Sequence, residues 1–274
     1  MRYIRVLLKS FLDFFRDGGL MLAGSMSFFT MMAMVPFCLF LVTIFGQFLG
    51  HNREFYQFFV SRIVSFFPKI TSQITEEIKK IITYHGLGKF SLVLYGFLSY
   101  QLFSSIESAI NVIFKIRVKR SLLISIILSL FVVTMVVAAL FISFSATSAI
   151  SMLQTLKEIF PDLRIGKITG FLIRFVIPLF LVFLIVMTLY LVLPRKMVTF
   201  VNAVWGALFT AIFLEVAKHL FTIYVVHVTK LGTIYGPLSA FVIFLLWVFY
   251  SSCIFLIGAE IVHNLGSSKG RSYG

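Results

Sequence analysis

Acidic residues are scarce in this chain: ten Asp and Glu stand against 24 Lys and Arg in 274 residues, and charged residues make up only 12%. A soluble domain carries about 25%, so there is too little polar surface here to clothe a water-soluble core. Cysteine is nearly absent too. Cys38 and Cys253 both fall in apolar runs, without pairing or ligand spacing, and read as small packing residues. An uncharged stretch near the start is also missing. Arg2, Arg5, Lys9, Asp13, Arg16 and Asp17 interrupt the first 19 residues, which excludes a signal-peptide core. The histidines His51, His85, His219, His227 and His263 show no metal-ligand spacing.

What the chain has instead is apolar sequence, 60% hydrophobic residues. Six stretches, at 20–49, 90–114, 122–146, 171–193, 201–226 and 238–262, are apolar and long. A hydrocarbon core of ~30 Å needs roughly 20 such residues in helix. The predicted fold is therefore all-α, a polytopic membrane protein with six transmembrane helices over residues 20–262. At 1–19, Ile4, Leu7, Leu8, Phe11, Phe14 and Phe15 share one helical face opposite the charges. That pattern predicts an interfacial amphipathic helix with its basic side on anionic phospholipid, stopped at Gly18 and Gly19. Residues 50–89 predict an extracytoplasmic helical cap between the first and second spans, two amphipathic helices broken at Pro68. Residues 263–274 read as a polar cytoplasmic tail.

The net charge of +14 does not point to nucleic acid, because the basic residues are spread over every loop without one stripe or aromatic platform. Short basic loops carry the orienting signal. Lys115, Arg117, Lys119 and Arg120, then Arg195 and Lys196, then Lys269 and Arg271 place both termini in the cytoplasm.

Ionisable residues inside spans are the first place to look for function, since each costs about 2.5–3.5 kcal/mol at a helix centre. The second span carries Gln101, Ser104, Ser105, Glu107, Ser108 and Asn111 on an arc of roughly 160°. Glu107 and Asn111 lie one turn apart, within reach of each other. The fifth span carries Glu215, Lys218, His219 and Thr222 on one face, and Glu215 can pair with Lys218. Glu260 closes the sixth span near the interface. The serines read as interhelical glue, while Glu107, Glu215 and Lys218 are a costly way to build packing. Prolines mark breaks and hinges: Pro36, Pro178, and Tyr235, Gly236 and Pro237. Dividing the spans into two sets of three aligns Pro36 with Pro178 and Glu107 with Glu215, as inverted repeats would.

The run Ala23-Gly24-Ser25-Met26-Ser27-Phe28-Phe29-Thr30 leading to Pro36 resembles the bacterial YihY/BrkB family. So do Ile106-Glu107-Ser108-Ala109-Ile110-Asn111, Tyr190-Leu191-Val192-Leu193-Pro194, and Tyr235-Gly236-Pro237-Leu238-Ser239-Ala240 through Trp247 to Gly258-Ala259-Glu260. The resemblance implies a six-helix inner-membrane protein, in a family once named ribonuclease BN and linked to serum resistance and envelope transport. No His-x-His-x-Asp cluster supports ribonuclease chemistry here.

Three functions follow from these residues. The first is a transporter or translocase of envelope lipid or small solute, through a polar cleft between the second and fifth spans. The second is a scaffold that recruits an envelope protein through residues 51–89. The third, a lipid-acting enzyme with Glu107 as acid or base, lacks a nucleophile-base pair or metal set. The expected partners are membrane lipids. No cofactor is expected.

Overall fold

The computed structural model describes residues 2–33, 88–116, 175–224 and 239–270, with residues 121, 124–125, 127–129, 131–132 and 135 between them. Every regular element among the described residues is helical. In chain order these are α1 (Arg2–Arg16), α2 (Gly19–Ala33), α3 (Gly88–Ile113), α4 (Ile177–Val192), α5 (Phe200–Ile223) and α6 (Ser239–Gly270), with further helical residues around Ser125 and Ser129. Among the described residues, two segments, Phe200–Phe221 in α5 and Phe241–Ser267 in α6, are long and apolar enough to cross a membrane, and α2 and α4 are shorter apolar helices. The cap at 50–89, most of 122–146, Pro36, Tyr235, Gly236 and Pro237 lie outside the described residues.

The chain divides into two compact units. One comprises Met1–Leu20, Glu107–Lys218 and Cys253–Gly274. Its centre is a close crossing of α5 and α6. Ala203, Ala207 and Ala211 recur every fourth residue on α5 and are buried, which removes side-chain bulk from that face. A Cβ on Gly206 would fall 2.8 Å from the Gly258 carbonyl oxygen and collide with Val262. A Cβ on Gly258 would lie 3.2 Å from the Gly206 carbonyl oxygen and collide with the Thr210 and Tyr190 hydroxyls. Both positions therefore exclude any side chain. Tyr190, fully buried at the end of α4, locks the crossing. Its single proton goes to the Phe255 carbonyl at 2.6 Å, so it accepts from the Thr210 hydroxyl at 2.8 Å. Its ring stacks on Phe255.

The other unit comprises Met21–Ile106 and His219–Ser252. Within it the hydroxyls of Ser25 on α2 and Ser105 on α3 meet at 3.0 Å, the interhelical bond that short polar side chains make in apolar surroundings. Ser27 and Thr30 instead return their hydroxyl protons to the carbonyls of Ala23 and Met26, one turn back. On α6 in this unit, Trp247 packs its ring against Phe221.

Three local features differ in detail from what periodicity predicts. Pro178 stands in the first turn of α4, where its missing N–H costs nothing, and the interruption it marks is a wide turn at Phe175 and Val176 just before it. The helix carrying the sixth apolar run continues past Val262 to Gly270 and buries Asn264 and Leu265. On α1, Ile4, Leu8 and Leu12 are exposed while Ser10 and Phe14 are buried. The apolar face points outward, as contact with lipid would require, and part of the polar face is turned onto protein. The stop at Gly18 is real. Its φ of +73° closes α1, and a Cβ on Gly19 would overlap the Phe14 ring.

Candidate functional site

Glu107 stands late in α3 with its side chain only 10% exposed. Its Oε1 lies 3.8 Å from Nη2 of Arg195, and its Oε2 accepts a bond from the Ser125 hydroxyl at 3.2 Å. Local sequence places the arginine. Leu193 donates back to Leu189 to finish α4, Pro194 cannot continue the helix, and both Leu193 and Pro194 are buried. The next side chain, Arg195, is thereby held at a fixed point before Thr199, whose carbonyl accepts from Asn202 at 3.0 Å and Ala203 at 3.1 Å to open α5. At this separation the attraction is about 4 kcal/mol for an effective dielectric of 20. Desolvating each ion costs several kcal/mol. The two nearly cancel, so stability alone does not explain why the pair exists.

Asn111, one turn beyond Glu107, keeps its side-chain oxygen buried and without a hydrogen bond. The expected Glu107–Asn111 contact is replaced by Arg195 and Ser125, because a cation and a hydroxyl from other elements are stronger donors to a carboxylate than an amide on its own helix.

Glu215 and Lys218 do meet, through the expected i, i+3 pairing on α5. Lys218 is half exposed there, among exposed Phe213, Val216 and Leu220, and His219 is exposed beside it. Gln101 is half-buried on α3.

Glu260 belongs to a second polar centre. Asn264, one turn after it on α6, accepts from Lys9 Nζ at 2.8 Å and donates to Ser10 Oγ and Asp13 Oδ2, each at 3.0 Å. One turn back on α6 and one turn forward on α1, the same antiparallel register sets Glu260 beside Asp17, with Asp13 and Lys115 close by. Lys115 Nζ is 3.7 Å from Asp17 Oδ2. The lysine ends α3 in a left-handed conformation, φ +57°, while Ile116 N–H bonds Asn111 and Lys115 N–H bonds Val112. That is a Schellman cap with lysine where glycine is the usual choice. His263 completes the cluster, its ring edge-on to Phe114. Among the described residues no group of three or more His, Cys, Asp and Glu has metal-holding geometry.

Arg195, Asn264, Asp13, Asp17, Tyr190 and Thr210 are the residues that pattern reading missed. Arg195, Asp13 and Asp17 register there only as loop or interfacial charge. A signal existed for three of them: Asp13 and Asp17 repeat with Lys9 at i+4, and Asn264 continues the face of Glu260 by one turn.

No solved structure matches the chain. The UPF0761 membrane protein of Aliivibrio fischeri (strain ATCC 700601 / ES114) is 30% identical over 253 residues, covering 90% of this chain and 79% of that protein. A second UPF0761 membrane protein, from Aliivibrio salmonicida (strain LFI1238), is 30% identical over 251 residues, 90% of this chain and 78% of its own length. One from Rhodospirillum centenum (strain ATCC 51521 / SW) is 29% identical over 257 residues, 92% of this chain but 55% of its own. The family model described as Virulence factor BrkB matches residues 10–271, nearly the whole chain, and the protein with its apolar helices and enclosed charges belongs to that family of membrane proteins.

Proposed function

We propose that this protein is a carrier in the bacterial inner membrane, with both termini cytoplasmic, that moves an envelope lipid headgroup or small polar solute past the bilayer midplane. The path is a polar cleft between α3 and α5 lined by Glu107, Asn111, Glu215 and Lys218. One observation carries the reading: Glu107 and Arg195 are held as an enclosed ion pair whose attraction roughly offsets its desolvation, so it returns little stability for its cost. Enclosed charge that adds little stability is retained for what it handles. Asn111 supports the same reading, since its buried oxygen is free to accept a bond from a passing polar group.

The experiment is flux in proteoliposomes, read for fluorescent phosphatidylglycerol and phosphatidylethanolamine by quenching the outer leaflet, and for a panel of radiolabelled polar solutes. Glu107→Gln combined with Arg195→Met, and Lys218→Ala, should each abolish movement of the transported species while expression persists. Unchanged flux in both variants would end the carrier reading.

A further inference from the structure

The cluster between α1 and α6 contains a group that the carrier path does not use. Glu260 is 1% exposed, and among the described residues no group donates a hydrogen bond to either carboxylate oxygen. A buried carboxylate without a donor costs far more than a buried amide or hydroxyl, so such groups take up a counter-charge. The helix register aims this one at acid. Asn264 fixes α6 against Asp13, and stepping one turn along each antiparallel helix brings Glu260 to Asp17. The Asp17 Oδ2 atom is itself buried without a hydrogen bond.

Among the described residues no cation completes the site. Lys115 stays 3.7 Å from Asp17, outside hydrogen-bond distance, and Lys9 directs its ammonium to Asn264. Among the described residues, the charged groups facing Glu260 are Asp13 on α1, Asp17 just beyond it and Lys115 after the end of α3. On its own helix lies His263, beside Lys196, Lys115 and Lys9.

We propose that Glu260 and Asp17 together bind one small monovalent cation, an alkali ion or a proton, and that its binding ties α1 to the end of α6. The ligand set is two carboxylates, Glu260 on α6 and Asp17 just beyond α1, far fewer oxygens than the roughly six to eight that calcium gathers. An ion that occupies only the docked arrangement shifts the chain toward it by mass action. The proposal is independent of the carrier reading, and its test does not measure flux.

The test is the unfolding temperature of the purified full-length chain in detergent. One arm titrates NaCl or KCl against choline chloride at constant ionic strength and pH 8. A second arm lowers the pH from 8 to 5 in choline chloride alone. A saturable rise of several degrees with Na+ or K+ assigns an alkali ion, and a rise only on acidification assigns a proton. Either response should be lost in Glu260→Gln, which keeps the shape, removes the charge and retains His263 as an internal control. Asp17→Asn should lose it as well, and serves if the first variant folds poorly. A wild-type midpoint indifferent to all three cations, or a response of equal size in both variants, overturns the proposal.

Discussion

Placing one methyl group at Gly258 sets two opposite effects against each other. Gly258→Ala replaces a mid-helix glycine, which by propensity alone stabilises by about 1 kcal/mol. The new Cβ, however, would collide with the Thr210 and Tyr190 hydroxyls and lie 3.2 Å from the Gly206 carbonyl oxygen. Helix backbone cannot yield as a flexible side chain can. The Tyr190–Thr210 bond is then lost, at about 0.5–1.5 kcal/mol, and overpacking adds about 1–3 kcal/mol. The net expectation is destabilisation of about 1–3 kcal/mol, the clash exceeding the propensity gain. Gly266→Ala on the same helix is the control, because its Cβ would meet only Asn202 Nδ2 at an ordinary 3.6 Å. That variant should be as stable as wild type or more so. Thermal unfolding in detergent, followed by loss of the monodisperse chromatographic peak, compares the two. Equal stability of Gly258→Ala and Gly266→Ala would refute the close-crossing account.

Three further expectations follow from named contacts. Lys115→Ala should be less stable than Lys115→Gly by about 1 kcal/mol, because both lose the charge but only alanine keeps a Cβ in the left-handed region; equal midpoints would contradict the strained cap. Asn264→Leu should speed amide hydrogen exchange across α1 and leave α4 unchanged, since it removes the contacts to Lys9, Ser10 and Asp13. Glu107→Gln alone should lower the unfolding midpoint, as Arg195 would lose the carboxylate 3.8 Å from it; an unchanged midpoint would show the pair to be solvated.

Much of the fold was legible because lipid solvent demands long uninterrupted apolar helices. The 201–226 and 238–262 runs correspond to α5 and α6, and Gly18 marks the end of α1. The glue role of Ser105 was legible too, since a lone hydroxyl in apolar surroundings seeks a neighbour. Tertiary pairing was not. Arg195 sits 88 residues from Glu107 in sequence, and no local period connects a post-helical arginine to a mid-helix acid. The packing of Asn264 was hidden for a related reason: an asparagine looks solvent-seeking until α1 supplies Ser10 and Asp13 as its partners. The alanine and glycine face of the α5–α6 crossing was visible in the spacing of Ala203, Ala207 and Ala211, but small residues reveal a close approach only once the opposite Gly258 is known.

The most direct test of the central claim separates stability from function at the Glu107–Arg195 pair. Exchanging both residues at once, Glu107→Gln with Arg195→Met, removes both charges of the pair together, and such replacements are commonly neutral or stabilising by about 1–4 kcal/mol. In proteoliposomes the double variant should unfold no earlier than wild type and yet move none of the lipids or solutes that wild type moves. Flux at the wild-type rate in that variant would show the pair to be structural, and the carrier account would be wrong.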